Sequence, residues 1–282
     1  MARVHLVGGE LDGLEMHVVE AGEGPATLLI HGLASFAESW RRTTADLAAH
    51  GRVIALDLPG YGQSSKPRHH YGLAFFVESV DRLLRTLGVE RVRVVGHSLG
   101  GGIAAAYAVA HPERVERLAL LSPVVPGFPI KPSIVYRVLA LPGVGELISG
   151  LLTPGLCRFG LERCFVVRDR EEIDFFVEHQ FAARATREGR AAYLATLRDV
   201  RADFTSQAPA YRAALGRWGR PTLVVHGRQD PVVPLAHAAA AVEGIPGAQA
   251  RWLERCGHFP HIEHTPAVNA WLSEFLFAGA TR

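Results

Sequence analysis

A chain of 282 residues with 48% hydrophobic and 21% charged side chains has enough apolar surface for a full core, which excludes a disordered chain. Its formal net charge of +2 is too small, and its arginines too scattered, to build a nucleic-acid-binding surface. No run of about 18 apolar residues occurs, so no membrane span is expected, and Met1–Gly13 lacks the apolar stretch of a secretory signal.

Val4–Val7 and Leu14–Val19 alternate around glycine-rich turns and read as an N-terminal hairpin. Ala26–Ile30 is a short apolar run, hence a buried strand, ending in His31-Gly32. A helix is expected over Ser39–His50, a strand over Val53–Leu56 and a helix over Leu73–Leu87, with Phe76, Val80, Leu83, Leu84 and Leu87 on one stripe. Strand Val92–Val95, helix Ile103–His111 and strand Val115–Leu121 follow. From Ser122 to about Gly219 the alternation stops: prolines recur from Pro123 to Pro154, and helical stretches stand at Ile134–Leu141, Glu171–Arg184 and Arg190–Asp199. It resumes with strand Thr222–Val225, a helix near Leu235–Val242, a strand around Ala250–Leu253 and a last helix Ala267–Phe277.

This rhythm specifies an α/β class: a mostly parallel sheet with helices on both faces. Residues 1–122 and 220–282 are expected to form the core domain, and 123–219 a helical cap inserted after the sixth strand. Such an insertion rests on the C-terminal edge of the strands, where open α/β sheets bind ligands. Three cysteines (Cys157, Cys164 and Cys256) without C-x-x-C spacing fit reduced thiols in a cytoplasmic protein.

The chemistry centres on Gly96-His97-Ser98-Leu99-Gly100, between an apolar run and a small-residue stretch. Strand, sharp turn and helix make G-x-S-x-G a nucleophile elbow. A serine hydroxyl needs a base, and the base an orienting group. Among 14 histidines, His258 lies after the last strand, on the same side of the sheet as Ser98. His31, His97 and His226 read as structural, and His261 and His264 are the controls close in sequence. Asp230 follows Thr222–Val225 and is the expected acid, because the other strand-end site offers only Ser122 and Pro123. Asp57 belongs to a tight turn and reads as structural. The oxyanion hole needs two backbone N–H donors, assigned to Leu99 and to Leu33 in the turn after Ala26–Ile30.

His31-Gly32, Asp57-x-Pro59-Gly60-x-Gly62-x-Ser64, Gly96-His97-Ser98-Leu99-Gly100-Gly101, Gly227-x-x-Asp230-x-x-Val233-Pro234 and Gly257-His258-x-Pro260-x-x-Glu263 stand in that order. Together they resemble the α/β-hydrolase superfamily, in its serine-nucleophile, esterase- and lipase-like branch, over nearly the whole chain. The resemblance implies about eight strands with a helical cap, a Ser98–His258–Asp230 triad, and neither metal nor organic cofactor. One departure is Thr265 where many members carry proline; Pro266 follows it. Ser98 argues against haloalkane dehalogenases and epoxide hydrolases, which use aspartate. Carbon–carbon bond hydrolases of aromatic degradation usually carry Asn before the serine, so His97 and Leu33-Ala34 weaken that alternative without removing it. Acyltransferases and perhydrolases share the triad.

The expected activity is hydrolysis of small to medium apolar carboxylic esters through an acyl-enzyme, the partner being a small-molecule substrate, with a homodimer compatible. A non-catalytic binding protein on the same fold is disfavoured by the complete triad. Cap aromatics such as Phe128, Tyr136, Phe159, Phe165, Phe175, Phe176, Phe181, Tyr193 and Phe204 form mainly the cap's own core, a few facing the cleft. Arg158, Arg163, Arg168 and Arg170 are candidates to clamp a substrate carboxylate, the solvated reading being the stronger.

Overall fold

The computed structural model describes residues 1–131 and 133–279; Pro132 and the last three residues of the expected 220–282 stretch lie outside the described residues. Eight strands form one sheet: β1 (Ala2–His5), β2 (Glu15–Ala21), β3 (Ala26–Ile30), β4 (Arg52–Leu56), β5 (Val92–His97), β6 (Val115–Leu121), β7 (Thr222–Gly227) and β8 (Gln249–Leu253). Their order is β1-β2-β4-β3-β5-β6-β7-β8. The N-terminal hairpin β1–β2 is antiparallel and β2 joins β4 antiparallel, while every pairing from β4 through β8 is parallel.

The core strands are apolar runs because both faces are covered. Leu28, Ile30, Ile54, Leu56 and Val94 point to one face, where α2 (Leu73–Thr86), α3 (Leu99–Ala110) and α10 (Leu235–Gly244) supply Phe76, Leu84, Ile103, Tyr107 and Ala241. Leu29, Val53, Ala55 and Val95 point to the other, against Leu47 of α1 (Arg41–Leu47) and Val268 and Leu272 of α12 (Thr265–Phe277). The period-two side-chain alternation of a strand therefore feeds two cores at once.

The structure moves several expected boundaries. The helix expected over Ser39–His50 is a 3-10 turn (Ala37–Trp40) followed by α1. Helix α3 begins at Leu99, four residues before the expected Ile103. Its Gly100–Gly102 run is compatible with helix because the packing demands it. A Cβ on Gly100 would lie 2.3 Å from the Ile30 carbonyl oxygen, and one on Gly101 2.7 Å from Pro123 Cβ. A short helix, α11 (Pro260–Glu263), precedes α12 and carries no sequence period of its own.

Between β6 and β7 the described chain has helices only: α4 (Ile134–Leu139), α5 (Val144–Gly150), α6 (Pro154–Glu162), α7 (Arg170–Ala185), α8 (Arg187–Ser206) and α9 (Ala208–Leu215). Thr153, Asp169 and Thr186 cap α6, α7 and α8 with side-chain oxygens that accept first-turn N–H bonds. Phe165 and Phe176 pack with Phe36 and Phe259, and the Phe165 and Phe259 rings stack at 4.6 Å. These aromatics join the helical segment to the loop that carries His258.

Candidate active site

Three strand ends bring Ser98, Asp230 and His258 together. Ser98 ends β5 and heads α3 in a left-handed conformation, φ 53° and ψ −119°, which L side chains rarely adopt. The flanking glycines make that turn feasible. A Cβ on Gly96 would meet the Gly100 carbonyl oxygen at 2.3 Å, and Gly100 is pressed against the end of β3. Ser98 N–H donates to Leu121 O, and Ser98 O accepts from Gly101, Gly102 and Val124, so the backbone of the turn is fully tied down.

The Ser98 Oγ lies 3.0 Å from His258 Nε2, and His258 Nδ1 lies 2.8 Å from Asp230 Oδ2. With Nδ1–H donating to Asp230, Nε2 is free to accept the serine proton. The Asp230 side chain is fully buried. Its other oxygen accepts from the Val232 and Val233 amides at 2.8 and 2.9 Å. Burial alone would raise the Asp230 carboxyl, but the charge and hydrogen bond of His258, together with His226 and the Val233 amide, outweigh it and hold the group below the usual carboxylate range.

The other histidines occupy supporting places. His31 Nδ1–H donates to Gly32 O at 2.7 Å and its Nε2 accepts the Leu58 N–H at 3.0 Å, which braces the turn after β3. His97 Nε2–H donates to the His258 carbonyl at 2.8 Å. His226 donates to Val233 O at 2.9 Å. His261 is buried against the Trp40 ring, and His264 is bonded to Arg255 O. Burial holds the His97 imidazole well below its ordinary value, with the neighbouring His261 and His258 adding to the effect. Asp57 is consumed by structure: its carboxylate takes N–H bonds from Ala37 and Gln63 and a 2.9 Å contact from His17 Nδ1.

Two backbone amides stand near the serine without protein acceptors. Among the described residues neither Leu33 N–H nor Leu99 N–H donates to a protein group. Gly32 keeps the β3 turn against the elbow, since a Cβ there would lie 3.0 Å from both Ser98 Cβ and His97 Nδ1.

Two groups escape the sequence reading. Glu263 was recognisable only as the last member of a motif. Its carboxylate accepts from the Gly257 and Phe259 amides beside His258 and from the Val166 and Val167 amides of the segment between α6 and α7. Cys164 O also accepts the His258 N–H at 2.8 Å. The second is Arg184. The four arginines singled out in sequence sit elsewhere: Arg158 is engaged by Asp174 and Glu162, Arg163 lies over Phe159, and Arg168 and Arg170 are exposed. Arg184 instead stacks 4.0 Å over the Tyr193 ring, with its Nε buried and without a hydrogen-bond partner among the described residues. Tyr193 packs with Leu139 and Leu194, against the Leu33 turn, so the cation lies on the helical segment behind that turn.

The profile of the alpha/beta hydrolase fold family matches residues 25–146 and 194–265, and the chain belongs to that family. It is 31% identical over 270 residues to the 2-hydroxymuconate semialdehyde hydrolase of Pseudomonas sp. strain CF600, covering 94% of this chain and 91% of that protein. The structure of 2-hydroxy-6-oxo-6-phenylhexa-2,4-dienoate hydrolase from Rhodococcus sp. strain RHA1 superposes with a TM-score of 0.83 at 27% identity, over 98% of this chain and 99% of that one. An esterase from Exiguobacterium antarcticum shares the fold with a TM-score of 0.81 at 23% identity, over 97% of this chain and 98% of that one. No helix among the described residues is long and apolar enough to cross a membrane.

Proposed function

We propose that the chain is a serine hydrolase that cleaves small to medium carboxylic esters through an acyl-enzyme on Ser98. The observation that carries the reading is the Ser98–His258–Asp230 hydrogen-bond chain at 3.0 and 2.8 Å. His258 Nε2 takes the hydroxyl proton as Ser98 Oγ adds to the substrate carbonyl, and Asp230 stabilises the imidazolium. Leu33 and Leu99 N–H groups, aided by the N-terminal end of α3, hold the oxyanion. Collapse breaks the ester C–O bond and the leaving alkoxide takes the proton from His258. Water then adds to the acyl-enzyme, His258 removes its proton, and the carboxylic acid leaves as Ser98 is reprotonated. Residues 123–219 serve as the cap that bounds the substrate pocket. Three free cysteines agree with a reducing compartment such as the cytoplasm.

A second reading has a specific observation in its favour. Arg184 is half-buried, but its Nε–H is buried without a protein acceptor among the described residues, and such a donor is costly unless water or a ligand supplies one. Arg184 therefore favours a substrate with a carboxylate. The likeness to the 2-hydroxymuconate semialdehyde hydrolase supports the same direction, toward hydrolysis of a carbon–carbon bond beside a ketone. Both reactions begin with attack of Ser98 on a carbonyl, activated by the same triad. The test is turnover of nitrophenyl esters of increasing acyl length and of carboxylate-bearing vinylogous diketones, with Ser98→Ala beside the wild type. Ester turnover that falls by about 10⁴ or more in Ser98→Ala supports the first reading. Diketone turnover without ester turnover supports the second. A Ser98→Ala protein retaining a tenth of the wild-type rate refutes both.

A further inference from the structure

The exposed apolar surface of this protein is not dispersed. Of the 13 large hydrophobic side chains exposed among the described residues, 11 fall between Ile134 and Val167, on α4, α5, α6 and the segments that follow them. Leu147 is 68% exposed, Ile134 66%, Leu151 65% and Phe159 62%. Scattered exposed leucines are ordinary, but a concentration of this kind marks a surface that meets something apolar. These are short helices with one face turned inward. Leu139 of α4 packs on Tyr193 and Leu194 of α8, with Leu33 and Ala34 against them, while Ile134 and Val135 of the same helix face out.

Charge distinguishes the occupant. Every carboxylate between residues 131 and 170 is already engaged: Glu146 by Arg198, Glu162 by Arg158 and Asp169 by Arg42. Lys131, Arg137, Arg163, Arg168 and Arg170 are exposed and have no ion-pair partner among the described residues. The face is thus apolar with five unpaired cations, of which the Glu171 carboxylate beside Arg170, itself free of ion pairs among the described residues, offsets at most one. A second copy docking through the same face would bring these cations against their own symmetry mates, which opposes an isologous dimer. An anionic lipid surface accepts both features: apolar side chains enter the headgroup–acyl boundary, and the cations meet anionic headgroups.

We propose that the α4–α6 face docks the protein on the surface of an anionic lipid bilayer. Because α4 also packs over the Leu33 turn, the docked face and the roof of the site are two sides of one helix. Docking in this sense is peripheral and needs no helix that crosses the bilayer.

The experiment is vesicle flotation of the full chain with phosphatidylcholine vesicles and with phosphatidylcholine–phosphatidylglycerol vesicles. The wild type is expected to float with the second and not the first, and to be released by salt. Leu147→Asp with Leu151→Asp is expected to remove flotation. In Lys131→Gln, Arg137→Gln and Arg163→Gln, each lost cation is expected to weaken partitioning about fivefold. Urea midpoints of the variants, unchanged from the wild type, show that folding is intact. Failure to float with anionic vesicles overturns the proposal, as does equal binding to neutral ones. A solution dimer dispersed by the Leu147→Asp, Leu151→Asp variant would assign the face to a second copy and overturn it as well.

Discussion

Replacing Glu263 tests how the loop that carries His258 is held. The carboxylate joins two pieces of chain that are distant in sequence: the loop around His258 and the segment Phe165–Val167. Two of its four amide partners, Gly257 and Phe259, are in buried residues, while Val166 and Val167 are exposed. In Glu263→Ala, water can satisfy the exposed amides but not readily the buried ones. A buried donor left unpaired costs about 1–3 kcal/mol, so the two together predict a loss of about 2–6 kcal/mol. Glu263→Gln keeps one acceptor oxygen and turns an NH2 toward the remaining amides, so it should retain only part of the stability. The rate should fall too, because His258 lies between the two amides that lose their anchor. A displacement of about 1 Å of a catalytic group costs on the order of 10²-fold. Urea unfolding and kcat/KM on a nitrophenyl ester check both effects. A Glu263→Ala protein with the wild-type urea midpoint, and a rate within about twofold, would refute the idea that this carboxylate positions the loop.

Arg184→Met, which keeps the apolar stem over Tyr193, should lower kcat/KM for carboxylate-bearing substrates by about 10–100-fold while sparing neutral esters, since a hydrogen bond to a charged group contributes about 1.5–3 kcal/mol; equal losses on both would remove its role as an anion partner. His261 is held neutral, its pKa lowered to about 3 by burial and secondarily by the charge of His258. The unfolded chain then binds the extra proton below about pH 6.5, so stability falls as pH falls from 6.5 toward 3. His261→Phe should therefore lose about 2 kcal/mol less than the wild type between pH 7 and pH 5 in urea titrations, and parallel losses would contradict the assignment. Gly100→Ala places a methyl 2.3 Å from Ile30 O and 2.4 Å from His31 O, which forces β3 and α3 apart; its urea midpoint should drop sharply, and a wild-type midpoint would show that the elbow tolerates side chains.

What the sequence revealed and what it hid divide along physical lines. The sheet was legible because its strands are buried on both faces, so Ala26–Ile30 and Thr222–Val225 stand out as apolar runs whatever surrounds them. The elbow was legible for a steric reason. Gly96 and Gly100 each face backbone oxygen at 2.3 Å, so the residue type is forced and the motif survives as a string. Helices α5, α6 and α9 were missed because they are short and contain glycine or proline, which read as breaks in the string. Arg184 was invisible for a different reason. In a chain whose basic residues are nearly all arginine, nothing about its residue type or spacing is unusual; what marks it is a buried Nε without a partner beside the Tyr193 ring, and that is a property of packing. The same holds for Glu263, whose four amide partners come from two segments that meet only after the helices between β6 and β7 have folded back over the sheet. Residues forced by local geometry can be read from a string, whereas residues defined by what they touch, or fail to touch, require the fold. In this protein the proposed nucleophile belongs to the first kind, and Glu263 and Arg184, proposed to hold the base and to meet an anionic substrate, belong to the second.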